Sequence, residues 1–68
     1  MPYASNDELP ASVRQHLPAH AQDIFREAFN AAFDQYHGNE ATAFRVAWAA
    51  VKKQFERVSG EWVRRSQH

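Results

Sequence analysis

The stretch "FRVAWAAVKKQFERV", residues 44–58, sets Phe44, Trp48 and Phe55 on the same short run as Arg45, Lys52, Lys53 and Arg57. It reads either as a basic aromatic helix laid on a nucleic acid or as a helix that holds a small protein together. Spacing separates the two. Phe44, Ala47, Trp48, Val51, Phe55 and Val58 recur three and four residues apart, the pattern of one buried helical face. Arg45, Ala49, Lys52 and Glu56 fall on a solvent stripe, with Lys53 and Arg57 beside it. Base stacking needs exposed aromatics interleaved with cations on one surface, so the aromatics are assigned to the core. The helix is expected over residues 40–58, stopped by Ser59 and Gly60, with Ala41, Ala43, Ala49 and Ala50 raising helix propensity and permitting close approach.

Upstream, residues 18–37 carry a second, wider apolar stripe that includes Ile24, Phe25, Phe29, Phe33 and Tyr36, opposite a face of Gln22, Asp23, Arg26, Glu27, Asn30 and Asp34. Gly38 and Asn39 form its stop, because glycine takes the left-handed conformation without a Cβ clash. Pro10 and Pro18 each sit where a helix can start without needing the missing N–H, so a short helix over residues 10–16 precedes the two long ones. Two long helices joined by so short a loop are antiparallel neighbours. The expected core is Phe25, Phe29 and Phe33 against Phe44, Trp48 and Phe55. The expected architecture is all-α, one short and two long antiparallel helices in a single domain, residues 1–68. Tyr3 and the segment around Trp62 and Val63 are expected to bring the termini together as a short strand pair.

A chain of 68 residues buries only about 60% of the surface its unfolded form exposes. Small domains often compensate with disulfides or metals, but there is no cysteine, so apolar burial must do it, and nine aromatics supply it. No apolar run approaches the ~18 residues of a membrane span, and the polar, acidic opening does not read as a signal peptide. Together these point to a cytoplasmic location. The zero net charge is unevenly placed: residues 1–40 balance at −4 and residues 41–68 at +4. Such asymmetry fits either an anion-facing surface or mutual attraction of the two halves.

Catalysis has no foothold. There is no thiol or glycine-rich phosphate loop, the serines sit at caps, turns or the tail, and the carboxylates fall on solvent faces. A chain this short is also expected to lack a pocket of roughly 300–1,000 Å³. His16, His20 and Asp23 do not make a metal set, because Pro18 breaks the helix between the histidines and two ligands on one face are too few. Neither a metal nor a cofactor is expected. The cations Arg45, Lys52, Lys53, Arg57, Arg64 and Arg65 remain as a candidate surface for an anionic partner: a nucleic acid, an acidic protein segment or phospholipid head groups. Against a dedicated nucleic-acid binder stand the zero net charge and a pI near 6.9.

Several blocks are specific enough to name a family: Met1-Pro2-Tyr3, Leu17-Pro18-Ala19-His20-Ala21-Gln22-Asp23, Glu27-Ala28-Phe29-Asn30 and Val46-Ala47-Trp48-Ala49-Ala50-Val51-Lys52. With these the chain resembles the ChaB family of small bacterial proteins, known as cation transport regulators, over nearly its whole length. The inter-helix loop "HGNEA" is shorter than the family's charged connection, and Phe44 stands where a histidine is expected. The resemblance implies a compact helical regulator or adaptor that works by protein contact with a sodium or calcium/proton antiporter. It also implies an alternative, a nucleic-acid-associated module using the basic face of the third helix and the tail. It singles out His20, Gln22, Asp23 and Asn30, polar residues that packing alone does not call for, as a network holding the N-terminal arm or as a partner surface.

Overall fold

The computed structural model describes residues 2–65. A 3₁₀ turn over Asn6–Glu8 leads into α1 (Ala11–His16), α2 (Ala19–Gln35) and α3 (Glu40–Gln54), followed by β1 (Phe55–Val58) and β2 (Glu61–Arg64). The mainly helical architecture and the antiparallel α2–α3 pair are as expected.

Helix punctuation follows the sequence with one shift. Pro10 and Pro18 occupy the N-cap positions of α1 and α2, and the Asn39 side chain accepts a hydrogen bond from the Thr42 N–H at 3.1 Å to cap α3. At the end of α2 the Gly38 N–H bonds the Phe33 carbonyl at 2.8 Å and the His37 N–H bonds that of Asp34 at 3.4 Å, a Schellman closure. In this closure His37, at φ 56°, holds the left-handed position expected of Gly38, which follows it at φ 83°. A histidine there carries a Cβ penalty that glycine avoids. His37→Gly is therefore expected to stabilise the fold by about 0.5–1 kcal/mol. A thermal melt checks this, and a melting temperature unchanged or lowered would contradict the closure.

The third helix is shorter than its apolar spacing predicts. It ends at Gln54, and Phe55–Val58 is a strand instead. Ser59 and Gly60, read as a helix stop, are the two central residues of a hairpin turn, both at positive φ (53° and 82°), the signature of a type I′ connection. The antiparallel register pairs Phe55 with Arg64, Glu56 with Val63, Arg57 with Trp62 and Val58 with Glu61. Folding back in this way lays Trp62 against Trp48, ring centroids 5.7 Å apart, and keeps Phe55 buried. Continuing the helix would leave Trp62 without that partner. A two-stranded element is thus present, but its second strand is β1 and not the N-terminal segment around Tyr3.

The core is built of Leu9, Val13, Leu17, Ala21, Phe25, Phe29, Ala32, Ala43, Ala47, Val51 and Phe55. Of the expected six aromatics, Phe25, Phe29 and Phe55 are buried, while Phe33, Phe44 and Trp48 are half-buried around the rim. The reason is close helix contact: Ala43 and Ala47 are fully buried on α3, which leaves no room at the centre of that face for larger side chains. The short α1 supplies Val13 and, at its flanks, Leu9 and Leu17.

Candidate functional site

Two polar surfaces flank this core. The first runs along α2, where Asp23, Arg26 and Asn30 follow one another at helical spacing on one side. Asn30, expected on the solvent face, is only 7% exposed because the N-terminal arm lies across it. Its Oδ1 accepts from the Tyr3 N–H at 3.1 Å and its Nδ2 donates to the Tyr3 carbonyl at 2.8 Å, so one side-chain amide pairs with one backbone residue as a strand would. Further along the helix, Asn6 Nδ2 donates to Asp23 Oδ1 at 2.6 Å, and Asn6 Oδ1 accepts from Arg26 Nε at 2.8 Å. Gln22 Nε2 donates to the Leu17 carbonyl at 2.8 Å and to that of Arg14 at 3.3 Å, tying the α1–α2 elbow. His20 is exposed, its ring centroid 6.1 Å from that of Phe55.

The clamp presses the Tyr3 ring onto Phe29, centroids 4.9 Å apart. Burial, and secondarily the negative charge of Glu40, raise the Tyr3 phenol above its ordinary pKa of 10.0. A raised folded-state value means that folding favours the protonated phenol. Its contribution is complete below pH 10 and is lost as pH rises through the folded value. Wild-type protein is therefore expected to lose more stability between pH 10 and 11 than Tyr3→Phe, which has nothing to titrate. Urea unfolding across that range checks it, and parallel losses in both proteins would contradict it.

The second surface is cationic. Lys52 and Lys53 lie exposed in the last turn of α3, where positive charge complements the helix dipole. Arg57 and Arg64 stand on the hairpin face that carries Phe55 and Trp62, since directly paired residues share a face. Arg65 turns back: its N–H bonds the Gln54 carbonyl at 2.8 Å, and its Nε donates to the Lys52 carbonyl at 2.7 Å, satisfying a terminal carbonyl of α3. Residues 52–65 thus gather five cations against Glu56 and Glu61, a formal balance of +3. Arg45 sits two helical turns nearer the α3 N-terminus, apart from the other five. The opposite hairpin face carries Glu56, Val58, Glu61 and Val63, with both valines exposed.

Short as it is, the chain leaves room for depressions of the size expected to be lacking. Two open surface depressions of about 350 and 400 Å³ are present, one between the α1–α2 elbow and the hairpin turn, the other beside the Asn30 clamp. Among the described residues, no three His, Cys, Asp or Glu side chains are grouped as a metal ion would need.

Fold and surfaces together define a class: a small helical domain that straps down its own N-terminal arm, ends in a β-hairpin, and collects its cations at the hairpin end. The family model for ChaB matches residues 9–65. The chain belongs to the ChaB family. Proteins named "Putative cation transport regulator ChaB" from Escherichia coli strain K12 and from Shigella flexneri are each 45% identical to it, covering 97% of this chain and 100% of their own length. The fold agrees: a structure described as "NMR solution structure of the putative cation transport regulator ChaB" superposes with a TM-score of 0.84 at 44% identity, covering 96% of this chain and all of that one.

Proposed function

We propose that this chain is a non-enzymatic regulator that works by protein contact, on the cytoplasmic side of a sodium or calcium/proton antiporter. The observation that carries this reading is the near-full-length similarity to proteins named as cation transport regulators. Two features support it. No helix among the described residues is long and apolar enough to cross a membrane. The cationic end formed by Lys52, Lys53, Arg57, Arg64 and Arg65 offers a surface for an acidic segment of another protein.

The clustering of those five cations also favours a second reading, a nucleic-acid-associated module, in which they meet phosphates. Against it, the aromatics interleaved with Arg57 and Arg64 on the hairpin are turned inward, Phe55 into the core and Trp62 onto the ring of Trp48, and are not laid open as stacking platforms. Affinity purification from cells treated with nuclease separates the two. Recovery of the antiporter with this chain is expected to survive the treatment. Recovery of nucleic acid without any transporter would sink the regulator reading in favour of the second.

A further inference from the structure

Among the described residues neither edge of the hairpin is paired further, and the edge of β2 is the fuller of the two, because on β1 the Phe55 N–H is already bonded to the Val51 carbonyl. Val58 and Glu61 flank a two-residue turn, and pairs in that position exchange both of their backbone hydrogen bonds. Alternation gives the same role to Glu56 and Val63, and the Arg65 N–H on the Gln54 carbonyl keeps that phase. The backbone N–H and C=O of Trp62 and Arg64 therefore point away from β1. Among the described residues no other segment pairs with them, and the sheet has two strands. The 350 Å³ depression borders this side: residues 15–18 form one wall and residues 60–62 the other, with no residue of β1.

We infer that this edge of β2 is a docking edge for an extended acidic segment of a partner protein, which adds there as a third strand. The inference rests on the reading of the chain as a protein-contact regulator and names how that contact is made. A row of unpaired N–H and C=O groups is a template for an extended peptide. Charge selects among candidates. The end that carries the edge has a formal balance of +3, so a second copy paired here would bring two cationic ends together, whereas an acidic strand is attracted. A nucleic acid meets the same cations, and its phosphates accept from outward N–H groups, but they leave the outward carbonyls of Trp62 and Arg64 unpaired, whereas a strand pairs both.

The register also sets a pattern. On the third strand, residues opposite Trp62 and Arg64 share the face with Arg57, where an acidic side chain meets a cation. Residues opposite Glu61 and Val63 share the face with Val58, where an aliphatic side chain finds exposed apolar surface. The edge therefore suits a segment that alternates acidic and aliphatic residues.

The test uses isotopically labelled full chain and a seven-residue peptide alternating glutamate with valine. Expected results are amide shifts over residues 60–65 and slowed hydrogen exchange at Trp62 and Arg64. N-methylation of one alternate set of peptide amides should weaken binding at least about tenfold, while methylation of the other set leaves it within about twofold. Equal loss from both sets would overturn strand addition in favour of contact by charge alone. Shifts caused by duplex DNA and not by the peptide would overturn it in favour of nucleic acid, and shifts that appear with protein concentration alone would give the edge to a second copy. A parallel antiporter purification with Arg64→Pro, which removes an outward N–H and leaves the β1 ladder intact, distinguishes the two levels. Retention of the antiporter by that variant overturns the docking edge and leaves protein contact standing. Absence of the antiporter from wild-type preparations overturns protein contact itself.

Discussion

Replacing Phe25 by alanine is expected to unfold the domain at room temperature. Phe25 is fully buried, and its ring meets those of Trp48, Phe44 and Phe29 at centroid distances of 5.2, 5.8 and 6.1 Å. Removing a buried phenylalanine costs about 3–5 kcal/mol in lost transfer energy and residual cavity. A core in a chain of this size supplies a total stability of about the same magnitude. Loss of the far-ultraviolet helical signal at 25 °C checks it. A melting temperature within about 5 °C of wild type, a shift worth only about 1 kcal/mol in a domain this small, would show that Phe25 does not organise the core.

The second large effect belongs to Asn30. Its amide is held at both ends by the backbone of Tyr3, and a leucine of similar size satisfies neither group. Asn30→Leu is expected to cost about 2 kcal/mol, the loss of two hydrogen bonds with partners left in a half-buried place. The effect should be local. The Tyr3 amide should exchange freely, while the turn held by Asn6 and the amides of the hairpin keep their protection. Equal protection of the Tyr3 amide in both proteins would contradict the clamp.

These two residues show where the sequence speaks and where it falls silent. Phe25 is legible because it lies on a nine-residue apolar stripe whose helical period admits one reading. Asn30 lies on the polar side of the same helix, where spacing alone reads it as solvent-facing and only the family resemblance offers it as a holder of the arm, since the residues that cover it, Tyr3 and its neighbours, are 27 positions away. Sequence spacing carries no information about that crossing. The same holds for Arg65, whose return to the Lys52 carbonyl depends on the hairpin.

The hairpin itself is hidden for a different reason. Phe55-Glu56-Arg57-Val58 alternates apolar and polar residues only at its ends, and Phe55 and Val58 equally continue the helical stripe of Trp48 and Val51. A run of four residues cannot distinguish the two periods. Ser59-Gly60 is similarly double, serving a helix stop or a hairpin turn. What decides is Trp62, which can be buried against Trp48 only if the chain reverses. The rim position of Trp48 has a related cause: the sequence shows which side chains face the partner helix, but the inter-helix distance, set by Ala43 and Ala47, decides which of them fit between.

The cationic end depends on this reversal. In a helix continued to Val58, Lys52, Lys53 and Arg57 would lie along its solvent side, away from Arg64 and Arg65. The hairpin instead brings Arg64 opposite Phe55 and Arg65 back to the helix terminus, so that charges far apart in the chain share one end with an open strand edge.

This cationic end is expected to meet a protein partner, and direct binding to a purified cation/proton antiporter in lipid nanodiscs is the test. Wild type is compared with a variant carrying Lys52→Glu, Lys53→Glu and Arg64→Glu, exposed positions whose replacement leaves the core untouched. Binding is expected to weaken as salt is raised and to be lost in the variant, which stays folded at 25 °C although reversing Lys52 and Lys53 against the helix dipole lowers its melting temperature. Equal binding by the two proteins, or no binding by wild type at low salt, would contradict it.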